Sequence, residues 1–542
     1  MLTIRNTIGN LLINAGYKLS GDNNMTGTLK NITDDPRIGI DSREYTRIKR
    51  DIKYYTDSWD DVWYRNSFGT RLKRKQFTLN MTKVASRKLA SIIFNEKCEI
   101  HIGSLSAKND DRDGTSTDQS EQRAAKLDEY LQQVFLKNDF KDHYEERLEE
   151  AIALGTMTIK PYVDPVSGDI KFAWCRADQT YPLESNTNSV RDICIASRTV
   201  RSEANVPIYY TLLEFHQWQG EDYVITNELY RSPVKSSVGT PVSLSAIPEY
   251  ADIQPTVTIE NLKYPLFAFF KTSGANNKSL ESPLGVGIPD NSLSTLRAIN
   301  DTYDTFHWEI LTGRRKIAVP PEMFRKPQGD KIHNANSFEH DISDVYLAIP
   351  GNRESVQPTE FNPDLRVDDF SNAINEYMRK FEMEIGFSAN TFSYQSGNSQ
   401  VTATQVISEN SNTYQTRSSY CTMVENNIDA LVKAILELSM VPELFPNHQA
   451  PLKAEDVDFD DLDISVSFDD GVFVDKQSRA TYWQGLLASS VVPRWMAIKN
   501  ILEVPESVAR DLADEIATET AQQASNTTPD ISDLLGNHSS SE

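Results

Sequence analysis

Closely spaced carboxylates are the first candidates for chemistry in this chain of 542 residues. Five of them lie in one short segment: Asp456, Asp458, Asp460, Asp461 and Asp463. Such a segment can attract Mg²⁺, because hard cations prefer oxygen ligands. No catalytic motif accompanies the segment, so the sequence favours an exposed acidic ridge over a metal site.

Other patterns for metals and nucleotides are incomplete. Residues 109–114 match the opening of a calcium loop, but Ser120 occupies the position of its bidentate glutamate. His333 and His340 share one segment without a third ligand nearby. Residues 285–287 supply only two glycines of a dinucleotide fingerprint, and no GxxxxGK[ST], GxSxG or HExxH motif occurs. The sequence therefore predicts no catalytic residue, no metal and no cofactor, and it argues against an enzyme.

Charge is abundant and unevenly distributed. The chain has 55 basic and 78 acidic residues, which gives a formal net charge of −23. Residues 41–95 contain 13 basic and 6 acidic residues, whereas residues 451–542 contain 6 basic and 18 acidic residues. An acidic surface repels a polyanion, so the composition excludes a protein that coats DNA through a dominant basic face. The basic and acidic ends suit polar contacts between unlike surfaces.

Neither a disulfide framework nor a membrane segment is indicated. The four cysteines, Cys98, Cys175, Cys194 and Cys421, have no CxxC spacing and are expected to be reduced core residues. The longest uninterrupted apolar stretch, residues 264–270, is far shorter than the roughly 18 residues of a membrane helix. No membrane association is expected.

Hydrophobic periodicity predicts an α+β protein. Apolar residues at helical spacing predict helices over residues 79–93 and 121–154. Short β-branched and aromatic segments with turn residues between them predict a largely antiparallel β region from 157 to 271. Its strands are Thr158–Val163, Ile170–Trp174, Ile193–Ser197, Tyr209–Phe215 and Tyr223–Thr226.

Two matched helices with an insert between them follow this β region. The first runs from Asp290 to Leu311 and the second from Leu365 to Ile385. Small and polar residues at 386–400 predict a flexible loop, and a capping box at 402–405 opens a long helix that extends to Met440. An acidic strand at 463–468, short helices around Trp483 and Trp495 and a disordered tail after residue 521 complete the chain.

This order of elements resembles the portal proteins of tailed bacteriophages, in particular those of long-tailed phages of Gram-positive hosts. The resemblance covers about residues 40–515 and includes the segments Asn80–Ala90 and Thr402–Asn410. A head-completion or minor capsid protein is the alternative. The resemblance implies a portal-type fold with a helical wing, a β-rich middle, a two-helix stem, a small α/β clip and a helical crown. The implied ranges are 1–280 for the wing, 281–311 and 365–385 for the stem helices, 312–364 for the clip, 386–400 for the tunnel loop, 401–450 for a long wing or crown helix, 451–521 for the crown and 522–542 for the tail.

The resemblance also implies a function and partners. The implied function is that of a dodecameric ring at one capsid vertex, through which double-stranded DNA is packaged and ejected. The implied partners are the terminase large subunit, a head-tail connector or adaptor protein, and the major capsid and scaffolding proteins. The protein would be assembled in the host cytoplasm and reside in the virion.

The implied site residues fall into three groups. Acids on the polar sides of the stem helices are candidates for the channel wall: Asp301, Asp304, Glu376 and Glu382. The candidate tunnel-loop residues are Asn390, Phe392, Tyr394, Gln395 and Asn398. Arg314, Arg315 and Lys316 could touch DNA, dock the packaging motor, or only interact favourably with the C-terminal dipole of a helix.

Overall fold

A computed structural model gives the fold of the chain. It describes residues 27–65, 70–106, 116–183, 185–186, 189–313, 316–319, 346–348, 359–362, 364–393, 411–468, 476–489, 491–502, 509–510, 512–513 and 515–518. In this part of the chain the helices are α1 (Ser42–Tyr55), α2 (Met81–Ile93), α3 (Ser116–Lys137), α4 (Phe140–Leu154), α5 (Ile288–Thr312), α6 (Val367–Glu384), α7 (Ser411–Ser439), α8 (Lys476–Ala488) and α9 (Arg494–Leu502).

The described strands are mostly antiparallel, as predicted. They are β1 (Val62–Arg65), β2 (Arg71–Arg74), β3 (Glu99–Ser104), β4 (Thr156–Val163), β5 (Ile170–Arg176), β6 (Thr180–Pro182), β7 (Ser185–Asn186), β8 (Ser189–Val190), β9 (Ile193–Glu203), β10 (Val206–Gln219), β11 (Asp222–Ser232), β12 (Thr240–Val242), β13 (Thr256–Ile259), β14 (Ala268–Lys271), β15 (Lys316–Val319), β16 (Tyr346–Ala348), β17 (Thr359–Phe361) and β18 (Leu462–Ser467). The mixture of helices and sheets confirms the α+β class.

The largest sheet has the strand order β12-β11-β10-β9-β6, with β13 paired to β11. One of its faces buries Leu213, Phe215 and Tyr230 against helix α1 and the preceding turn. A second sheet, β14-β4-β5, carries helix α7 across it through buried apolar residues such as Leu431 and Ile435. All four cysteines are buried, and none of them forms a disulfide. Among the described residues, no helix is long and apolar enough to cross a membrane.

Three sequence predictions need correction. The helix predicted over 121–154 is two helices, because Asp139 adopts a left-handed φ of 45° and the Asn138 amide donates to the carbonyls of Val134 and Ile170. Asn and Asp tolerate this backbone conformation better than most residues. Residues 71–74, which lie in the range that the resemblance implies for the helical wing, form strand β2, in which exposed and half-buried side chains alternate.

The third correction concerns the acidic strand near the C-terminus. Strand β18 pairs along its length with β3, so this part of the predicted crown joins the N-terminal half of the chain. The chain divides into two compact units, one of residues 1–398 and 410–469 and the other of residues 399–409 and 470–542. Strands β3 and β18 both belong to the first unit. The described part of the second unit contains α8 and α9. The long helix is observed from Ser411, and its predicted start at 402 falls outside the described residues.

Helices α5 and α6 pack against each other as the sequence predicts. Phe306 of α5 and Phe370 of α6 have ring centroids 5.4 Å apart. The Arg366 guanidinium forms an ion pair with Glu309 across the same contact. Beyond α5, strand β15 pairs in parallel with β16 and antiparallel with β17, which forms a three-stranded sheet between the two helices in sequence.

A buried ionic cluster fixes the start of α5. Asp290, in its first turn, accepts hydrogen bonds from both Arg47 and Arg50 of helix α1 and from the Gly287 backbone N–H. Arg47 is only 6% exposed and also binds Glu44 and the Gly285 carbonyl oxygen. A buried charge is costly unless it is paired, so these contacts hold helix α1 and the start of α5 in one arrangement.

A second carboxyl group in this cluster is predicted to make stability depend on pH. Burial, with the nearby charge of Asp290, raises the pKa of Asp51 to about 8. An Asp side chain in an unfolded chain has a pKa of about 3.9. Between pH 4 and pH 8 the unfolded chain therefore lacks a proton that the folded chain keeps. The free energy of unfolding then falls with rising pH, by up to about 1.4 kcal/mol per pH unit from this group. Asp51→Asn should remove this part of the slope.

Urea unfolding at several values between pH 5 and pH 8.5 measures the effect. Asp222→Asn, at the exposed first residue of β11, is the matched control and should follow the wild type. Parallel stability curves for the wild type and Asp51→Asn would contradict the prediction.

Candidate functional site

The four acids proposed for the channel wall occupy two different environments. Asp301 on α5 and Glu376 on α6 are exposed. Asp304 is 7% exposed, and Glu382 is fully buried. All four lie off the apolar stripes of their helices, but the structure leaves only two of them accessible.

Asp304 anchors the hairpin β1-β2 to α5 within the subunit. Its carboxylate receives both terminal nitrogens of Arg74, at 2.5 and 2.6 Å, and the Phe77 backbone N–H at 3.0 Å. Although burial opposes ionisation, these donors lower the pKa of Asp304. Arg74 also lies over the ring of Trp308, 4.6 Å from its centroid. Within the subunit the charge of Asp304 is therefore paired and largely buried, and its place on the channel wall stays a prediction.

Glu382 organises the start of the loop that follows α6. Its carboxylate accepts the backbone N–H groups of Asn390, Phe392 and Ser393 at 2.9, 2.5 and 2.8 Å, and the Ser393 hydroxyl at 3.1 and 3.2 Å. A buried carboxylate without a cation needs such donors to replace water. In the subunit these donors hold Glu382 away from the exposed side of α6, and its place on the channel wall stays a prediction.

Asp301 and Glu376 remain candidates for a solvent-filled surface. The Gln76 amide donates to Asp301 at 2.8 Å, and Arg379 forms an ion pair with Glu376 at 2.7 Å, three residues along the helix. The exposed side of α5 also carries Arg297, whose Nε donates to the Tyr54 hydroxyl. The exposed sides of these helices therefore carry acids together with bases that already have partners: Arg379 pairs with Glu376, and Arg297 donates to Tyr54.

The predicted tunnel loop has an ordered base. Asn390 adopts a left-handed φ of 67°, and the Phe392 ring packs near those of Phe381 and Phe387, with centroids 6.4 and 5.4 Å away. Tyr394, Gln395 and Asn398 lie outside the described residues. The described residues 386–393 are thus held by Glu382 and by aromatic packing.

Helix α7 holds the same base from the other side. The Thr416 hydroxyl donates to the Gly386 carbonyl oxygen at 2.7 Å, and the Ser388 N–H donates to the Thr413 hydroxyl at 2.8 Å. Gly386 has a φ of 76°, and a Cβ there would lie 2.4 Å from the Thr416 hydroxyl oxygen. The polar first half of α7 therefore binds the loop base, a role that its composition alone did not indicate.

The three basic residues predicted after α5 lie at or beyond the edge of the described residues. Arg314 and Arg315 lie outside the described residues, and Lys316 begins strand β15 with no side-chain description. Residues 109–114, His333 and His340 also lie outside them.

Within the described ranges, no group of three or more His, Cys, Asp or Glu side chains could hold a metal ion. In the acidic segment, Asp461 accepts the Ser104 hydroxyl and the Ser106 N–H at 2.9 and 2.8 Å. These bonds link the acidic segment to the end of β3.

Sequence reasoning missed the role of hairpin β1-β2. Its residues were assigned to a helical, basic N-terminus, yet Tyr64 packs on Trp308 with ring centroids 5.1 Å apart, and Arg74 pairs with Asp304. A signal was present in β1, which opens with Val62, Trp63 and Tyr64, because β-branched and aromatic residues are enriched in strands.

Removing the buried carboxylate of Glu382 is predicted to loosen the loop base. Glu382→Gln should lower the free energy of unfolding by about 3 kcal/mol, because an amide nitrogen would confront backbone N–H donors and each charge-assisted bond contributes about 1.5–3 kcal/mol. Hydrogen exchange should accelerate at the amides of residues 390, 392 and 393.

Glu376→Gln is the control, because it makes the same chemical change on an exposed part of the same helix. Equal stability and equal exchange at these three amides in both variants would refute the role of Glu382.

Comparison with known proteins places these elements in a family. A family model described as phage portal protein, SPP1 Gp6-like, matches residues 34–525. No protein of curated function matches the chain. A chain from the neck of an empty GTA particle, computed with C6 symmetry, is 9% identical with a TM-score of 0.36, over 78% of this chain and 90% of that chain.

A chain from the virion of a native gene transfer agent (GTA) particle is 9% identical with a TM-score of 0.34, over 84% of this chain and 99% of that chain. These structural similarities are weak, and the assignment rests on the family model, which spans most of the sequence. The protein described here belongs to the SPP1 Gp6-like family of phage portal proteins.

Proposed function

We propose that this portal protein forms a closed ring of twelve copies at one vertex of a phage capsid, and that double-stranded DNA passes through its centre. The observation that carries the proposal is the family match over residues 34–525. In this assignment α5 and α6 are the stem, the sheet β16-β15-β17 belongs to the clip, and residues 386–400 form the tunnel loop. The family points to a structural role.

The dimensions and packing of α5 and α6 support their assignment as a stem. At 1.5 Å per residue, their 25 and 18 residues form rods of about 37 and 27 Å. Contacts at Phe306–Phe370 and Glu309–Arg366 join the rods where α5 ends and α6 begins. A rigid pair of helices can keep a channel open while the sheet at its end contacts other proteins.

The exposed acids of the stem suit a channel wall. DNA that moves must break each phosphate contact it makes, so a wall that grips phosphates would resist translocation. Asp301 and Glu376 present carboxylates on the exposed sides of the two helices, and Arg379 is already paired with Glu376. Like charge would keep the duplex hydrated and away from the wall.

The clip and the outer surfaces would contact the other components of the particle. We assign the clip to the terminase large subunit during packaging and to the head-tail connector afterwards. The remaining surfaces would face the major capsid and scaffolding proteins. Assembly would occur in the host cytoplasm, and the finished ring would remain in the virion.

Electron microscopy of the purified protein tests the ring directly. Class averages should show rings with a central hole, and their rotational symmetry gives the subunit number. Monomers, or compact oligomers without a hole, at all protein and salt concentrations tried would reject the proposal and favour another virion component.

Charge reversal in the stem should impair DNA movement. The double variant Asp301→Lys and Glu376→Lys should assemble normally but package DNA several-fold more slowly in a terminase-driven assay, because lysines on the wall would bind phosphates. Glu221→Lys with Asp222→Lys, at an exposed turn between β10 and β11, makes the same charge change elsewhere and is the control. Packaging at the wild-type rate in both variants would exclude these two acids from the wall.

A further inference from the structure

Hairpin β1-β2 presents an exposed face of basic and aromatic side chains. Trp63 is 50% exposed, with the Arg71 guanidinium 4.0 Å and the Lys73 ammonium 4.6 Å from its ring centroid. The strand register places Trp63 opposite Lys73, and Arg65 opposite Arg71. The exposed cations of Arg71 and Lys73 give this face a positive charge that an acidic partner would complement.

The charge of this face is one-sided. Residues 62–76 contain five basic residues and no acidic residue. Of the five, Arg74 is turned inward to Asp304, whereas Arg65, Arg71, Lys73 and Lys75 are exposed. Tryptophan and arginine, which are both exposed on this face, are enriched in protein interfaces and in the residues that dominate their binding energy.

An acidic face lies at the start of α6. Asp364, Asp368 and Asp369 are all exposed, and the only base among residues 364–369, Arg366, is paired with Glu309. Leu365 and Val367, between these acids, are 43% and 42% exposed. This face therefore offers apolar contact for a tryptophan together with carboxylates for its basic neighbours.

These two faces lie on opposite sides of α5 at the same height. Asp304 and Trp308, which hold the hairpin, are about 40° apart around the helix at about 100° per residue. Phe306 and Glu309, which hold α6, lie about 140–160° from Asp304. All four residues fall within two turns of α5. In space the hairpin, α5 and α6 follow one another as three layers. The basic face belongs to the hairpin layer, and the acidic face belongs to the α6 layer.

This arrangement is what a head-to-tail ring requires, because a cyclic assembly joins two different surfaces of each copy. We infer that the hairpin face around Trp63, Arg71 and Lys73 docks on the acidic start of α6, at Asp364, Asp368 and Asp369, in the next copy of this chain. The inference rests on the proposed ring. It specifies the contact that would orient neighbouring stems.

Charge reversal on each face tests the contact. Arg71→Glu with Lys73→Glu should weaken assembly by at least about tenfold in concentration, because like-charge contacts at an interface cost several kcal/mol. Asp368→Lys with Asp369→Lys should do the same. The two variants mixed in equal amounts should recover rings, since each reversed hairpin then meets a reversed helix. Mass photometry measures the assembled fraction.

Matched controls and alternative outcomes keep this test separate from that of the ring itself. Lys126→Glu with Lys235→Glu changes the net charge equally at exposed sites elsewhere and should assemble like the wild type. Normal rings from both reversed variants would overturn the inference while leaving the portal function intact. Normal rings with DNA binding lost only in the hairpin variant would assign the hairpin to DNA instead. A wild type that never forms rings would reject the proposed function.

Discussion

The structure depends on the neutralisation of buried carboxylates by the basic segment near the N-terminus. In a chain with a net charge of −23, an acid taken out of water needs a partner. Arg47 and Arg50 supply one at Asp290, where α5 begins, and Arg74 supplies another at Asp304, near its middle. Two ionic contacts from one basic segment thus fix helix α5, against which α6 and the hairpin pack.

Sequence periodicity predicted the helices that matter most to within a few residues. The predicted stem helices end within three residues of α5 and α6, because each helix has a regular apolar stripe. The same stripes could not show which acids are exposed. A residue off the stripe faces solvent only when no other element covers it, and Asp304 is covered by Arg74, 230 positions away in the chain. The partner belongs to tertiary structure, which periodicity does not report.

The sequence could not show the burial of Glu382 for a different reason. It has no cationic partner, and its ligands are backbone N–H groups of residues 390, 392 and 393, which any residue type except proline could supply. Nothing in the side chains of the loop therefore marks them as partners of an acid. A small and polar composition predicted a flexible loop, whereas this carboxylate and Thr416 of α7 order its described first part.

The net negative charge has to be reconciled with assembly, because like-charged copies repel one another. Screening limits that repulsion to about 8 Å at physiological salt, so the charges at the contact itself decide whether copies associate. The overall negative charge would then face DNA in the channel, while local basic and acidic faces join the subunits. In such a ring, strong salt would weaken the subunit contacts and the repulsion of DNA together, because both depend on the same unscreened charges.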